Sequence, residues 1–157
     1  MMQSELMPRL ASGREIIVRK STPRITRVRP ADATSQVVTV EGGQGTYRRE
    51  PCSKCPWRVD ATGEFPAQAF RHSAGTAYDM AQHTFGCHES GTRKPSMCAG
   101  FLLRGAAHNL HVRLAYMRGD LKDDVRDGGH DLHENYRTMA IANGVPSDDV
   151  ALAACRD

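Results

Sequence analysis

The segment PCSKCPWR, residues 51–58, decides the fold. Two residues separate Cys52 from Cys55, and this spacing lets the chain turn so that both sulfurs face one ion while backbone N–H groups remain available to hydrogen-bond to them. Lys54 and Arg58 put positive charge beside the pair, which favours the thiolate over the thiol. The segment therefore predicts a metal-binding turn.

Two more cysteines extend this pattern. Thirty-one residues separate Cys55 from Cys87, which is in a polar loop. Ten residues separate Cys87 from Cys98, which is at the start of the strongest helical pattern in the chain. A helix N-terminus favours a thiolate because its N–H groups carry partial positive charge. We predict that Cys52, Cys55, Cys87 and Cys98 bind one metal centre. His88 is the alternative to Cys87, because two adjacent side chains reach the same ion only awkwardly.

The cofactor is left open between two chemistries. Zinc and a [4Fe-4S] cluster both accept four thiolates, so the cysteine pattern is compatible with either. Two other interpretations also remain. Cys87 and Cys98 are compatible with a role as small buried hydrophobic residues, and Cys52 and Cys55 have the spacing of a dithiol redox pair, although the strand-then-helix context of a thioredoxin-like motif is absent.

Three short motifs carry a resemblance to a known family. PCSKCPWR (51–58), FGCHES (85–90) and MCAGF (97–101) are similar to motifs of an uncharacterised family of phage and bacterial proteins. The resemblance runs from about Pro51 to Val145 and includes NYRTMAIANGV near its end. It implies a phage or prophage context and implies that the four cysteines belong together. Trp57, Arg58 and His88 match the same pattern without a known role, and no activity is implied.

The composition is that of a small domain that needs a crosslink. The chain has 157 residues, of which 39% are hydrophobic and 6% aromatic, and both fractions are low for a domain held together by burial alone. We expect an α+β fold: a small, mostly helical domain built around a four-cysteine metal site, preceded by a short β-rich basic arm. Helices are predicted over residues 66–83, 96–118 and 132–143.

The chain divides into four segments by composition. Residues 1–14 have no clear period and are expected to form a flexible leader. Residues 15–50 contain the strand patterns EIIVRK, RITRVR and QVVTVE and are expected to form the β-rich basic arm. Residues 51–146 are the predicted cysteine metal-binding domain, and residues 147–157 are a C-terminal tail.

The positive charge is concentrated in the first 50 residues. They hold nine Arg and Lys residues against five acidic ones, an excess of +4, whereas the whole chain carries +3. This asymmetry favours nucleic acid or an acidic host protein as the partner. The residues expected to contact it are Arg24, Arg27, Arg29, Arg48 and Arg49.

These observations favour two classes of function. The first is a small intracellular binding or regulatory module, phage- or prophage-encoded, with a mainly structural metal. The second is an iron–sulfur protein for redox sensing or electron transfer. The sequence lacks a catalytic constellation, which argues against an enzyme, and no apolar run approaches the roughly 18 residues that a membrane span requires. We expect the protein in the cytoplasm of a bacterial host, where clustered cysteines bind metal more often than they form disulfides.

Overall fold

A long β-ribbon forms the N-terminal part of the chain. The computed structural model describes residues 20–156 and the backbone of Ser4 and Glu5. Strand β2 (Ser21–Pro30) pairs antiparallel with β3 (Gln36–Gly43), and β1 (Ser4–Glu5) pairs parallel with β3 on its other side. Because β3 is the central strand, its valines Val37, Val38 and Val40 are fully buried, whereas β2 is an exposed edge strand.

The predicted basic arm is thus strand-forming but joined to the rest of the domain. The patterns RITRVR and QVVTVE lie in β2 and β3, as predicted, and EIIVRK lies almost wholly outside the described residues. Helix α1 (Ala67–Ser73) packs against β3, and Val37 belongs to the main hydrophobic core. The pair Ser4–Glu5 falls within the predicted flexible leader, yet it is hydrogen-bonded into the sheet.

Four short α-helices and a second, two-stranded sheet complete the described part. These elements form a small mixed α/β domain. The expected predominance of helix is not confirmed. The helices are α1 (Ala67–Ser73), α2 (Ala99–Arg104), α3 (Leu110–Arg118) and α4 (Tyr136–Ala142), and the second sheet pairs β4 (Thr46–Tyr47) with β5 (Ser96–Met97) in parallel.

The single helix predicted over residues 96–118 is interrupted. Ser96 lies in β5, and α2 ends at Gly105. Asn109 then begins α3, because its side-chain oxygen accepts a hydrogen bond from the Val112 N–H at 3.0 Å while its amide donates to the His83 carbonyl at 2.7 Å. A polar residue that satisfies both a helix end and a neighbouring loop stabilises the break more than continuous helix would.

An aromatic cluster forms the centre of the core. The ring of Trp57 is fully buried and contacts Phe85, Phe101 and Tyr136 at centroid separations of 5.8, 6.4 and 5.9 Å. Aromatic rings of this size supply much of the buried apolar area in a chain that has few of them. Trp57 belongs to PCSKCPWR, so the predicted metal-binding turn is anchored in the core.

The predicted C-terminal tail also packs against the domain. A 3-10 turn (Val150–Leu152) buries Leu152 completely, and the Arg156 N–H donates to the Ala77 carbonyl at 2.8 Å. Cys155 lies here, in a bridge with Tyr78, and its sulfur donates weakly to the carbonyls of Ala74 and Ala151. It is remote in sequence from the other four cysteines.

Candidate metal centre

The first cysteine pair lies on a tight turn that is fixed by its own backbone. The Cys55 N–H donates to the Cys52 carbonyl at 3.1 Å, and the Arg58 N–H donates to the Cys55 carbonyl at 3.0 Å. The backbone N–H of Trp57 points at the Cys55 sulfur and acts to lower the pKa of that thiol. A turn with N–H groups directed at sulfur is the arrangement that the two-residue spacing predicts.

The second pair lies on two paired backbone segments. The Cys87 N–H donates to the Ser96 carbonyl at 2.8 Å, and the Cys98 N–H donates to the Phe85 carbonyl at 2.9 Å. This antiparallel pairing puts Cys87 and Cys98 on the same face, since alternate residues of a strand share a face. The N–H groups of Ser90 and Glu89 point at the Cys87 sulfur, where they act to lower its pKa.

The structure brings all four predicted cysteines near one another. The sulfurs of Cys55 and Cys98 are 3.5 Å apart, and the Cys52 thiol interacts with the thiols of both Cys55 and Cys87. None of the four residues is more than 5% exposed. Within residues 20–156 no disulfide forms. The thiols therefore make a continuous buried row, Cys87–Cys52–Cys55–Cys98.

The thiols of this row resist ionisation. The hydrogen bond to Cys55 raises the pKa of Cys52 to about 11. The hydrogen bond to Cys52 and burial both raise the pKa of Cys87. For Cys55 the contact with Cys52 acts to lower the pKa, but the hydrogen bond to Cys98 and burial outweigh it and the pKa is raised. Adjacent thiolates repel each other, so a compensating cation is needed before the row loses its protons.

A Cys/His/Glu group lies at the outer end of the row. The Nδ1 atom of His88 is 3.4 Å from the Cys52 sulfur, and one ligand atom each of Cys52, His88 and Glu89 lie within 4.8 Å of one another. The four cysteine sulfurs do not all lie that close together. This group could hold a metal, and burial lowers the pKa of His88, which leaves its imidazole neutral near pH 7.

Two glycines allow the turn and helix α2 to approach each other. A Cβ atom on Gly100 would lie 2.4 Å from the Trp57 Cβ and 3.1 Å from the Cys55 sulfur, and one on Gly105 would lie 2.4 Å from the far edge of the Trp57 ring. A real side chain fits at neither position. The MCAGF motif thus supplies Cys98 and, two residues later, Gly100. This glycine lets helix α2 pack on the turn that carries Cys52 and Cys55.

The two cations near the turn have other partners. The Arg58 guanidinium forms a double hydrogen bond to Asp60 at 2.8 and 2.5 Å and donates to the Cys52 carbonyl at 3.3 Å. Lys54 pairs with Glu64 at 3.7 Å. Arg58 consequently braces the backbone of the turn, whereas the Lys54 ammonium is directed to a carboxylate and not to sulfur.

Most of the arginines predicted to bind a partner have partners within the chain. Arg24 pairs with Glu41, Arg48 with Glu89 and Arg49 with Asp124, and Arg29 donates to the His72 carbonyl. The exception is Arg27, which is exposed on β2 and forms no ion pair with any residue that the structure describes. The ion pairs of Arg24, Arg48 and Arg49 therefore reduce the positive charge that these residues offer to a partner.

Sequence reasoning missed Ser53, Glu89 and Ser90 as contributors to the site. The Ser53 hydroxyl donates to the Glu89 carboxylate at 2.5 Å, and the Ser90 hydroxyl donates to the Cys87 carbonyl at 2.8 Å. The signal was their position within three residues of a predicted cysteine ligand, where hydroxyl and carboxyl groups commonly orient metal ligands.

Of the comparisons with known proteins, one found a match, and it begins after the β-ribbon. Among the described residues no helix is long and apolar enough to cross a membrane. No curated protein and no solved structure matches the chain. Residues 47–156 match the family described as "Family of unknown function (DUF6283)", and the chain belongs to that family.

Proposed function

We propose that the protein is a binding module whose fold is held by one structural zinc ion on Cys52, Cys55, Cys87 and Cys98. The observation that carries this proposal is the 3.5 Å separation of the Cys55 and Cys98 sulfurs. A tetrahedral zinc ion with Zn–S bonds of about 2.3 Å spaces its sulfurs about 3.8 Å apart. The observed separation is close to that value, so this pair can bind zinc with little movement.

A structural role is supported by the burial of all four sulfurs. Structural zinc sites are closed, with four protein ligands, whereas catalytic sites keep one position for water or substrate. The four cysteines are at most 5% exposed and supply four thiolates between them. The ion would join the turn at residues 52–55, the loop at residue 87 and the start of α2, which are segments with little regular secondary structure of their own.

A second candidate, an iron–sulfur protein for redox sensing or electron transfer, is favoured by a different observation. The four sulfurs do not all lie within 4.8 Å of one another. A [4Fe-4S] cluster, in which each thiolate binds a separate iron, holds its four sulfurs further apart than a single ion does. A single zinc ion would require the four sulfurs to move closer together.

One purification distinguishes the two metals. Protein prepared without oxygen is expected to be colourless and to contain one zinc per chain. Brown protein with absorbance near roughly 400 nm that bleaches on exposure to air would replace zinc by an iron–sulfur cluster. Protein that contains neither metal, and binds neither on reconstitution, would remove both candidates.

The binding surface that we propose is the exposed edge strand β2, with nucleic acid or an acidic host protein as its partner. Arg24 and Arg27 are exposed on one face of this strand, where they pair with Glu41 and Thr39 of β3. Ile25 and Val28, which are each 48% exposed, lie on the opposite face. Binding of nucleic acid by such a surface weakens steeply with added salt, because condensed counterions are released on binding.

We further propose a phage or prophage origin for the protein and a location in the reducing cytoplasm of the host. The motif resemblance and the free cysteines support this proposal.

A further inference from the structure

We infer that Cys52, His88 and Glu89 form a second, outer zinc site through which the ion reaches and leaves the buried thiolates. This inference rests on the zinc centre proposed above. Its starting point is that one ligand atom from each of the three residues lies within 4.8 Å of the other two. A thiolate, an imidazole and a carboxylate are all ordinary zinc ligands.

The distance between two of these ligands already suits zinc. With Zn–S and Zn–N bonds of about 2.3 and 2.0 Å, a tetrahedral ion holds the two ligand atoms about 3.5 Å apart. The Cys52 sulfur and the His88 Nδ1 atom are 3.4 Å apart. The His88 ring is held from its other side by an edge-on contact with Phe65 at a centroid separation of 5.4 Å.

The two sites share Cys52 and differ in their access to solvent. Cys52 contacts Cys55 and Cys87 on the inner side and His88 on the outer side. Cys55 is fully buried, whereas His88 is half-buried and the Glu89 side chain is 38% exposed. An ion bound by the outer group therefore already carries one ligand of the inner centre.

Contacts with neighbouring residues hold the Glu89 carboxylate beside Cys52. One oxygen accepts from the Ser53 hydroxyl at 2.5 Å, and the other lies 3.9 Å from the Arg48 guanidinium. Ser53 directly follows Cys52, so the same turn positions the thiol and the carboxylate. An exposed carboxylate would otherwise be mobile and would not stay near the cysteine.

Exchange of zinc at the buried four-cysteine centre needs additional ligands, which His88 and Glu89 can supply. Four thiolates leave zinc without an open position, so the ion departs only if incoming ligands replace the thiolates one at a time. His88 and Glu89 can provide the first replacements, since Cys52 keeps hold of the ion while Cys87, Cys55 and Cys98 release it. Uptake follows the same steps in reverse, and the protons of the thiols pass to solvent.

The test is the rate of zinc exchange in the full-length protein. Zinc-loaded wild type, His88→Phe and Glu89→Gln are mixed with the chromogenic chelator pyridylazoresorcinol to follow release. The same zinc-loaded forms are mixed with an excess of isotopically labelled zinc to follow uptake, so that the fold is kept throughout. Phenylalanine preserves the contact with Phe65, and glutamine still accepts from Ser53. Glu64→Gln is the matched control, because it removes a nearby carboxylate that pairs with Lys54 and lies outside the group.

We expect release and uptake to slow together in His88→Phe and Glu89→Gln, by about tenfold, a size typical of changes around a metal site. The equilibrium affinity for zinc should stay at the wild-type value, and Glu64→Gln should match wild type throughout. Unchanged rates in both variants would overturn the outer site while leaving the zinc centre in place. Faster release with weaker affinity would also overturn it, since the two residues would then hold the resident ion. Wild-type protein that takes up no zinc would overturn the zinc centre itself and this site with it.

Discussion

Trp57 lies directly against the backbone of Gly100. A Cβ atom added to this glycine would be 2.4 Å from the Trp57 Cβ and 2.7 Å from its Cγ. Trp57 follows the cysteine turn, and Gly100 lies in the first turn of α2, two residues after Cys98. The contact therefore sets the distance between two parts of the metal centre that are far apart in sequence, and it holds the sulfurs of Cys55 and Cys98 at 3.5 Å.

The first prediction concerns this contact. Gly100→Ala should destabilise the protein by about 1–3 kcal/mol, the usual cost of adding a methyl group to a well-packed interior. The matched control is Gly75→Ala, because a Cβ at Gly75 would meet no atom within 4 Å. Urea unfolding of the zinc-loaded proteins measures both. Equal stability of the two variants would contradict the close packing of Trp57 on α2.

The second prediction concerns the cysteine ligands. Serine in place of Cys52, Cys55, Cys87 or Cys98 should lower the zinc affinity and the melting temperature, because structural zinc contributes about 10–16 kcal/mol of binding free energy and each ligand supplies a share of it. Cys155→Ser is the control, since its sulfur donates to the carbonyls of Ala74 and Ala151 and it is outside the predicted ligand set.

Metal analysis and thermal melts with and without EDTA check this prediction. EDTA should lower the melting temperature of wild type and of Cys155→Ser, and should have a smaller effect on the other variants. A Cys87→Ser variant that keeps stoichiometric zinc would remove Cys87 from the ligand set. His88 would then be the fourth ligand.

The places of Cys52, Cys55 and Cys98 in the local structure could be predicted from the sequence, because they are determined locally. The Cys52/Cys55 turn needs only its own backbone hydrogen bonds, and Cys98 is positioned by the start of α2. What could not be predicted is the pairing of residues 85–87 with 96–98, which brings Cys87 to Cys98. Such a pairing is a long-range choice that depends on packing of the whole core.

The helix boundaries could not be predicted from the sequence for a similar reason. The apolar pattern over residues 96–118 continues across the break between α2 and α3, so periodicity alone predicts one helix. The break depends on Asn109, whose amide bonds to the carbonyl of His83, and on Gly105, where Trp57 packs. Both partners are distant in sequence. The same holds for the ribbon, whose attachment through Val37 has no local signal.

The third prediction is a pH dependence of stability. Burial lowers the pKa of His111, which is 8% exposed in α3, and the nearby charge of Arg118 acts in the same direction. The unfolded chain then binds a proton below its ordinary pKa of about 6.5 while the folded chain stays neutral, so stability is full above that pH and falls as the pH drops towards the folded pKa.

His111→Gln should remove this part of the pH dependence. Urea unfolding of wild type and variant between pH 5.5 and 8, a range set about the ordinary histidine pKa, should give a stability difference that changes with pH below about 6.5 and is constant above it. Because both proteins keep the same cysteine ligands, the response of the metal centre to acid cancels in the difference. A difference that is independent of pH would mean that His111 titrates normally in the folded protein.

The last prediction concerns the ribbon surface. If the partner is nucleic acid, Arg27→Ala should weaken binding and lower the slope of log affinity against log salt by about 1, because a single phosphate contact is lost. Arg27 is the informative choice since Arg24 and Arg49 already pair with Glu41 and Asp124. Deletion of the ribbon is not a clean test, because Val37 is part of the core and its removal would unfold the domain.

Arg49→Ala is the matched control, as it removes the same charge from a position that is neutralised by Asp124 at 2.9 Å. Fluorescence anisotropy with a labelled duplex at several salt concentrations gives both affinity and slope. Binding that does not depend on salt, or that both variants weaken equally, would contradict a phosphate contact at Arg27. Salt-independent binding would instead indicate an apolar contact through the exposed Ile25 and Val28, because apolar contacts are little affected by salt.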